Sequence, residues 1–295
     1  MSVALTAKCP AKVNLALRVV DRREDGYHEL DTVFQAIDLW DRLEIRPREG
    51  DDLVLTCDDP SVPTDERNLV LKAAMRLRES LPGTTPGAFL HLSKQIPTEA
   101  GLGGGSSDAA GALLLCSRYW GQETPRDRLE ELGAALGADV PFFLTGGTAR
   151  GRGRGDRIRP LAFIGEIGIL LGLPPFGIPT KEVFSGVRTK LTLPRNGVNL
   201  PPFCERKWPG DNDFSFVTND LESVVFERRP ELRRFRDHLL AEGARGAVMS
   251  GSGSTVYGVF RDRRDLDHVA GRLKDRFPEW RLLPTRAIED RAHVA

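Results

Sequence analysis

The chain has 295 residues, of which 40% are hydrophobic and 28% are charged, so its composition is that of a globular protein long enough for two modest domains. Lysine plus arginine and aspartate plus glutamate balance at 42 each, and this zero net charge argues against a nucleic-acid partner. Cys9, Cys57, Cys116 and Cys204 include no C-x-x-C pair, so neither a zinc site nor a disulfide framework is predicted. The N-terminal apolar runs are too short for a signal peptide or a membrane span, and we expect a cytoplasmic protein without a membrane partner.

The first half of the chain alternates predicted strands with predicted helices. Apolar and β-branched runs predict strands at residues 11–20, 32–39, 53–57 and 88–92. Helical periodicity predicts one helix that begins after residue 68 and runs through Leu77 and Leu81, and further helices at 107–120 and 129–136, where Gly121 and Gly137 mark the ends.

The second half predicts a mixed α+β layer with an antiparallel sheet. Strands are expected at 164–173, 280–288 and twice within 247–260, and helices at 221–240 and 266–277. The five arginines of residues 148–159 alternate with glycines in a predicted turn between strands, and we expect them to raise the local positive potential. Residues 193–213 are rich in proline and are predicted to form a surface loop.

Residues 97–110 read PTEAGLGGGSSDAA, with four glycines in five residues directly before a buried helix. Glycine lets backbone amides approach a ligand, and a helix N-terminus adds unpaired N–H donors and partial positive charge. We therefore predict a phosphate site rather than a merely flexible loop, although the segment is neither a Walker A loop nor G-x-G-x-x-G. Ser106 or Ser107 is expected to cap the helix or to reach a phosphate or Mg²⁺. The charge of Asp108 would oppose a phosphate placed beside it, so this side chain is expected to point sideways.

Lys12 and Asp139 are candidate groups for phosphoryl transfer. An aspartate can accept the proton of an acceptor hydroxyl while a lysine stabilises the carboxylate and the developing alkoxide. Asp139 has apolar neighbours, among which a buried carboxylate needs a partner. From the residues alone, a helix cap or an ion pair with a remote arginine explains Asp139 equally well. Asn14 faces the same side of its strand as Lys12, where a solvent-facing polar stripe is the alternative.

Four segments, in order along the chain, resemble the GHMP kinases, which include galactokinase and the homoserine, mevalonate and phosphomevalonate kinases. They are residues 11–30, 97–110, 137–144 and 249–260. The resemblance implies an α+β fold with an N-terminal mixed α/β nucleotide domain at 1–155 and a C-terminal ferredoxin-like domain with an antiparallel sheet at 156–295. It also implies an enzyme that uses ATP and Mg²⁺ to phosphorylate a small-molecule alcohol. A non-catalytic ligand-binding homologue and a redox enzyme are the alternatives from other classes.

The resemblance assigns roles to individual residues. The catalytic pair would be Lys12 and Asp139. The ATP-binding residues would be Pro97, Thr98, Glu99, Ala100, Gly101, Leu102, Gly103, Gly104, Gly105, Ser106 and Ser107, with Lys94 and Asn68 on the adenine side. The substrate-binding residues would be Asn14, Tyr27, His28, Thr180 and Phe184. No metal-ligand cluster is visible in the sequence.

The doubled glycines resemble a branch of the family whose acceptor is a cytidine diphosphate derivative. Tyr27 and Phe184 would then stack on the cytosine and His28 would bond its edge, whereas another small alcohol is the rival acceptor. From the residues alone, ordinary packing explains these three aromatic side chains. A solvated lysine and a helix N-cap likewise explain Lys94 and Asn68. The chain departs from the family at its arginine run and at Asp156, where a glutamate is usual.

Overall fold

The computed structural model describes residues 4–187, 214, 216–261 and 264–294 of the chain. The predicted loop at 193–213 and Cys204 lie outside these residues. No helix in the described ranges is both long and apolar enough to cross a membrane.

Strands and helices follow one another along the described residues. The strands are β1 (Leu5–Arg22), β2 (His28–Pro47), β3 (Leu53–Cys57), β4 (Ala88–Ser93), β5 (Thr148–Gly153), β6 (Arg157–Pro160), β7 (Gly168–Leu173), β8 (Thr218–Asn219), β9 (Gly246–Met249), β10 (Val256–Phe260), β11 (Arg281–Arg286) and β12 (His293–Val294). The helices are α1 (Leu69–Ser80), α2 (Gly104–Tyr119), α3 (Arg126–Leu136), α4 (Val140–Thr145), α5 (Thr180–Gly186), α6 (Glu222–Arg228), α7 (Pro230–Ala241) and α8 (Arg264–Arg276).

The strands form two sheets. In the first, the order is β12-β1-β2-β4-β3, with β5 beside β2, β6 beside β5 and β8 beside β1. In the second, β11, β7, β10 and β9 lie side by side in antiparallel pairs, which confirms the predicted antiparallel sheet. β5 and β6 pair on either side of residue 155, the predicted domain boundary, and that boundary stays a prediction.

The long β1–β2 pair is the centre of the first sheet. Its register shifts between Pro10 and Ala11 and again between Asn14 and Ala16. Such bulges re-aim side chains and are common beside active sites. These two flank the stretch of β1 that carries Lys12.

Helix α2 packs its small side chains directly on β1. Ala109, Ala110 and Ala112 are fully buried. A β-carbon at Gly111 would overlap the Sγ atom of Cys9 on β1, so a larger residue there would force Cys9 or the helix to shift. This close approach places the N-terminal end of α2, where the glycine-rich segment lies, firmly against the sheet.

Most of the predicted elements are confirmed, with shifted ends. The strands predicted at 11–20, 32–39, 53–57 and 88–92 are parts of β1 to β4, and the one predicted at 164–173 begins only at Gly168. The helix predicted at 107–120 begins at Gly104. The turn predicted at 148–159 is mostly wrong, because residues 148–153 and 157–160 are the paired strands β5 and β6 and only residues 154–156 connect them.

The single helix predicted at 221–240 is wrong, because the structure has two helices, α6 and α7. Arg229 between them has φ −134° and ψ 68°, which is not helical. Pro230 explains the break, since proline lacks an N–H donor and disfavours the α conformation of the residue before it. Helix α4 was not predicted, because its six residues are too few to show a helical period.

Gly172 on β7 tests the packing of α7 against the second sheet. A β-carbon at Gly172 would overlap the ring of Phe235 on α7, whereas one at Gly271 on α8 would meet nothing within 4 Å. We expect Gly172→Ala to lower the free energy of unfolding by about 1–3 kcal/mol through overpacking. The control Gly271→Ala should raise it by about 0.5–1 kcal/mol through helix propensity. Urea unfolding followed by circular dichroism measures both, and effects of the same sign would contradict this packing.

Candidate active site

A cleft of about 1230 Å³ opens where β1 and β2 meet the N-terminal end of α2. It is lined by nearly all the predicted site residues, namely Lys12, Asn14, Tyr27, His28, Asn68, Lys94, Pro97, Thr98, Glu99, Ala100, Gly101, Leu102, Gly103, Gly104, Gly105, Ser106, Asp139, Thr180 and Phe184. Ser107 is the exception: its side chain is buried, and its Oγ atom has no hydrogen-bond partner among the described residues. Because successive helical residues turn by about 100°, Ser106 faces the cleft and Ser107 faces the core.

Lys12 and Asp139 meet in the cleft from different elements. The Nζ atom of Lys12, on β1, is 3.3 Å from the Oδ2 atom of Asp139, which precedes α4. The lysine side chain is 4% exposed and the aspartate side chain 31% exposed, so the ammonium is buried while the carboxylate reaches the cleft. Asp139 makes no capping hydrogen bond to α4. Of the explanations left open for this residue, the helix cap is therefore wrong, and its charge partner here is a lysine.

A chain of hydrogen bonds holds Lys12 in place. Its Nζ atom donates to the Oδ1 atom of Asn14 at 2.7 Å. The Asn14 amide donates to the Thr32 hydroxyl at 2.8 Å, and that hydroxyl donates to the carbonyl oxygen of Ala16 at 2.7 Å. The ammonium also lies 5.5 Å from the centre of the Phe34 ring, within cation–π range. Asn14 is buried, so the solvent-facing polar stripe is wrong for this strand.

The glycine-rich segment begins α2 with bare backbone. Gly103 occupies the N-cap position with φ 73°, and no side chain caps the helix. The expected cap by Ser106 or Ser107 is wrong, because both residues lie inside the first turn. A β-carbon at Gly103 would lie 2.7 Å from the Phe143 ring and 3.1 Å from the Cε atom of Lys12. Glycine alone fits there, and the amides at this end of the helix remain open to a ligand.

The second glycine-rich turn, residues 250–254, packs on the first. The Ser250 hydroxyl donates to the carbonyl oxygen of Gly101 at 2.8 Å, and a β-carbon at Gly101 would overlap the Ser250 backbone. Asn219 supports the turn from the other side, since its amide donates to the carbonyl oxygen of Gly251 at 2.7 Å. Sequence reasoning missed Asn219, because a lone asparagine on a two-residue strand belongs to no recognisable pattern.

The aromatic residues predicted to hold a base lie at the other end of the cleft. The ring centroids of His28 and Phe184 are 5.3 Å apart, and the two planes are tilted by 33°. Tyr27 is 58% exposed, and the guanidinium of Arg154 lies 5.3 Å from the centre of its ring. Arg154 therefore packs against the Tyr27 ring, and more than half of the tyrosine stays exposed.

Thr180 connects this end of the cleft to the second glycine-rich turn. Its hydroxyl oxygen is 2.8 Å from that of Ser252. Both residues line the cleft, so the first residue of α5 and the turn at 250–254 contribute hydroxyl groups to one wall.

The arginine-rich β5–β6 hairpin carries its own counter-charges. Arg150 binds Asp31 through two buried hydrogen bonds of 2.7 and 2.6 Å. Arg154, which lines the cleft, lies 2.9 Å from a carboxylate oxygen of Asp156. These carboxylates offset much of the positive potential expected from the run.

The two residues predicted on the adenine side line the cleft, but their polar groups have partners within the protein. The Oδ1 atom of Asn68 accepts the backbone N–H of Val70 at 2.8 Å and so caps α1. The ammonium of Lys94 binds the carboxylates of Asp41 and Asp108. The Oδ2 atom of Asp108 is thus turned sideways toward Lys94, as expected, although the residue still lines the cleft. Contact with adenine stays a prediction for Asn68 and Lys94.

Two family models match the chain: the GHMP kinases N terminal domain over residues 68–147 and the GHMP kinases C terminal over residues 206–279. A 4-diphosphocytidyl-2-C-methyl-D-erythritol kinase of Pelotomaculum thermopropionicum is 38% identical over 98% of this chain and 100% of its own length. One of the same name from Moorella thermoacetica is 40% identical over 93% of this chain and 96% of its own. The chain belongs to the GHMP kinase family and, within it, to the 4-diphosphocytidyl-2-C-methyl-D-erythritol kinases.

Solved structures agree with this membership. A crystal structure of 4-(cytidine 5'-diphospho)-2C-methyl-D-erythritol kinase, 34% identical, has a TM-score of 0.75 and covers 96% of this chain and 98% of its own. Homoserine kinase from Cytophaga hutchinsonii, 18% identical, has a TM-score of 0.76 over 100% of this chain and 98% of its own, which shows the common fold alone. The predicted α+β GHMP kinase fold is therefore confirmed, and this GHMP kinase is an ATP-dependent phosphotransferase.

Asn219→Ala tests whether Asn219 holds the second glycine-rich turn. The change leaves the carbonyl oxygen of Gly251 and the N–H group of Leu221 without their partner. We expect the free energy of unfolding to fall by about 1–3 kcal/mol, the cost of unpaired buried groups. Ser223→Ala, which removes an exposed hydroxyl nearby, should change it by less than about 0.5 kcal/mol. Thermal unfolding compares the two variants, and equal losses would contradict the role of Asn219.

Proposed function

We propose that this GHMP kinase transfers the γ-phosphoryl group of ATP to the 2-hydroxyl of 4-diphosphocytidyl-2-C-methyl-D-erythritol, a step of the non-mevalonate isoprenoid pathway. The observation that carries the proposal is the Lys12–Asp139 pair, whose charged atoms are 3.3 Å apart. The pair lies in one cleft with the glycine-rich start of α2 at one end and a group of aromatic residues at the other. The names of relatives that are 34% to 40% identical over nearly the whole chain support this acceptor.

Asp139 is the proposed base and Lys12 its partner. Phosphoryl transfer needs alignment, charge neutralisation and a group that takes the acceptor proton. The Asp139 carboxylate takes the proton of the hydroxyl as that oxygen bonds to the γ-phosphorus and the bond from phosphorus to the ADP oxygen breaks. The Lys12 ammonium stabilises the negative charge that develops on the attacking oxygen.

The glycine-rich segment is the proposed seat of the triphosphate. Open amides and the partial positive charge of the α2 N-terminus favour phosphate there. Mg²⁺ would accompany ATP, with phosphate oxygens and water as its main ligands, and would supply charge neutralisation for the transfer. The use of ATP and the free state of Cys9, Cys57 and Cys116 support a cytoplasmic enzyme.

The aromatic end of the cleft is the proposed cytosine site. Tyr27 and Phe184 offer ring faces on which a base can stack, and His28 offers ring nitrogens for its edge. Asn14 and Thr180 lie between this end and the catalytic pair, where the erythritol chain would extend. An acceptor without a base does not need such a group of rings, which favours the cytidine derivative over other small alcohols.

ATP consumption with several acceptors tests the function. We expect turnover with the cytidine diphosphate acceptor and none with mevalonate, homoserine or galactose. Asp139→Asn should lower kcat by about 10²–10⁴-fold, the usual contribution of a general base, with ATP binding unchanged. Asp127→Asn, an exposed change on α3, is the matched control and should keep full activity. Undiminished turnover of Asp139→Asn, or turnover with another acceptor alone, would contradict the proposal.

Phe184→Ala tests the cytosine site. Stacking of a base on an aromatic ring contributes about 1–3 kcal/mol, so we expect the KM of the acceptor to rise by about tenfold or more. The KM of ATP should not change, because the phosphate end of the cleft is untouched. Phe184→Tyr keeps the ring and should have a much smaller effect. Steady-state kinetics measures both constants, and an equal rise in the two KM values would count against a base-stacking role.

A further inference from the structure

Three charged side chains form a buried cluster beside the glycine-rich segment. The Nζ atom of Lys94 is 2.9 Å from the Oδ2 atom of Asp108 and also binds the Oδ2 atom of Asp41. The side chains of Lys94, Asp41 and Asp108 are 5%, 0% and 3% exposed. The phosphoryl transfer described above uses none of the three.

Each member of the cluster belongs to a different part of the fold. Asp41 lies on β2, Lys94 follows β4 and Asp108 lies near the start of α2. The Oδ1 atom of Asp41 also accepts the backbone N–H groups of Gln95 at 2.6 Å and Ile96 at 2.9 Å. The cluster therefore ties the sheet, the chain that leads into the glycine-rich segment and the start of α2 to one another.

Lys94 also lies close to the glycine-rich segment itself. A β-carbon at Gly104 would lie 3.1 Å from the Nζ atom of Lys94 and 3.0 Å from the Cγ2 atom of Ile96. Gly104 is the first residue of α2. The ammonium thus limits where the first turn of the helix, with its open N–H groups, can lie.

We propose that Asp41, Lys94 and Asp108 are positioning residues that hold the amides of the glycine-rich segment in place for the phosphates of ATP. The proposal rests on the proposed use of ATP in this cleft. Removing one member of a buried charge cluster leaves its partners unpaired, and the segment that they fix then shifts. Lys94 acts on the phosphates through the backbone, whereas the family resemblance places it beside the adenine.

The two aspartates differ in the hydrogen bonds they make. Both Asp41 oxygens accept hydrogen bonds, from Lys94 and from the backbone. The Oδ1 atom of Asp108 is buried and has no partner among the described residues. Burial raises the pKa of Asp108 to about 8, with Lys94 lowering it and Asp41 raising it further, while Cys9 faces Asp108 as a neutral thiol. This direction favours a protonated Asp108, which leaves the Lys94 ammonium and the Asp41 carboxylate to balance each other in the cluster.

Lys94→Met is the first test, with inorganic tripolyphosphate as a probe that has no adenine. We expect the KM of ATP and the inhibition constant of tripolyphosphate both to rise by about tenfold or more, since a buried charge pair is broken. The KM of the acceptor should not change. Lys274→Met is the matched control, because the Lys274 ammonium donates to the carbonyl oxygens of Pro278 and Trp280 in the second half of the chain. It should alter none of these constants.

Two results of this test would overturn the proposal. If tripolyphosphate binds Lys94→Met as tightly as the wild type while ATP binds more weakly, the lysine contacts adenine and not the loop. If the acceptor KM rises equally, the change is a general loss of structure. Wild-type turnover with ATP, measured first, tests the proposed function separately from the role of Lys94.

Asp41→Asn and Asp108→Asn are the second test, because the same chemical change meets opposite surroundings. Asparagine resembles a protonated Asp108, so the KM of ATP should rise by at most about threefold. At Asp41, asparagine would place its amide N–H group against the N–H donors of Lys94 or of the backbone, so the KM of ATP should rise by about tenfold or more. Equal effects of the two changes would overturn the assignment.

The pH dependence adds a readout that a purely structural role would not affect. Loss of the Asp108 proton adds negative charge beside the phosphates, so the wild-type KM of ATP should rise as the pH passes about 8. Asp108→Asn should abolish this rise. If the KM of ATP rises with pH in Asp108→Asn as it does in the wild type, Asp108 is not the group that titrates.

Discussion

The contact between α2 and β1 is the constraint on which the whole cleft depends. Gly111 brings the helix against Cys9 on β1, and Gly103 brings its N-terminus against Lys12 on the same strand. The glycine-rich start of α2, which is the proposed phosphate site, and Lys12, the proposed catalytic lysine, are therefore parts of one closely packed unit, and side-chain volume in the core sets their spacing. Preorganisation of this kind matters because small displacements of reacting groups are costly to phosphoryl transfer.

The second half of the chain completes the unit, since its contacts reach the same strand. The Tyr257 hydroxyl donates to the backbone carbonyl of Asn14 at 2.8 Å, and a β-carbon at Gly251 would lie 3.3 Å from the Nζ atom of Lys12. The turn at 250–254 therefore lies close to the Lys12 ammonium. This enclosure strengthens the attraction between Lys12 and Asp139, because less water screens the two charges.

The sequence predicted the parts of the site that are local in the chain. The glycine-rich start of α2 and the common face of Lys12 and Asn14 follow from short-range patterns. The pairing of Lys12 with Asp139 does not, because it depends on how distant elements pack, and the residues alone left other partners open. The cluster at Lys94 escaped prediction for the same reason. Pro230 is visible in the sequence as a residue that breaks helices. The prediction nevertheless joined the two helices, because the helical pattern of apolar residues continues on both sides of this proline.

The cleft contains two buried ammonium groups whose surroundings give them different roles. Lys12 faces an acid whose side chain is 31% exposed, whereas Lys94 faces two acids whose side chains are 0% and 3% exposed. A carboxylate that is open to the cleft can receive a proton from a substrate hydroxyl, whereas a carboxylate that is enclosed by protein cannot reach the substrate. The exposure of the acid therefore distinguishes the two ion pairs: the pair at Asp139 suits the proposed proton transfer, and the pair at Asp41 suits the proposed positioning role.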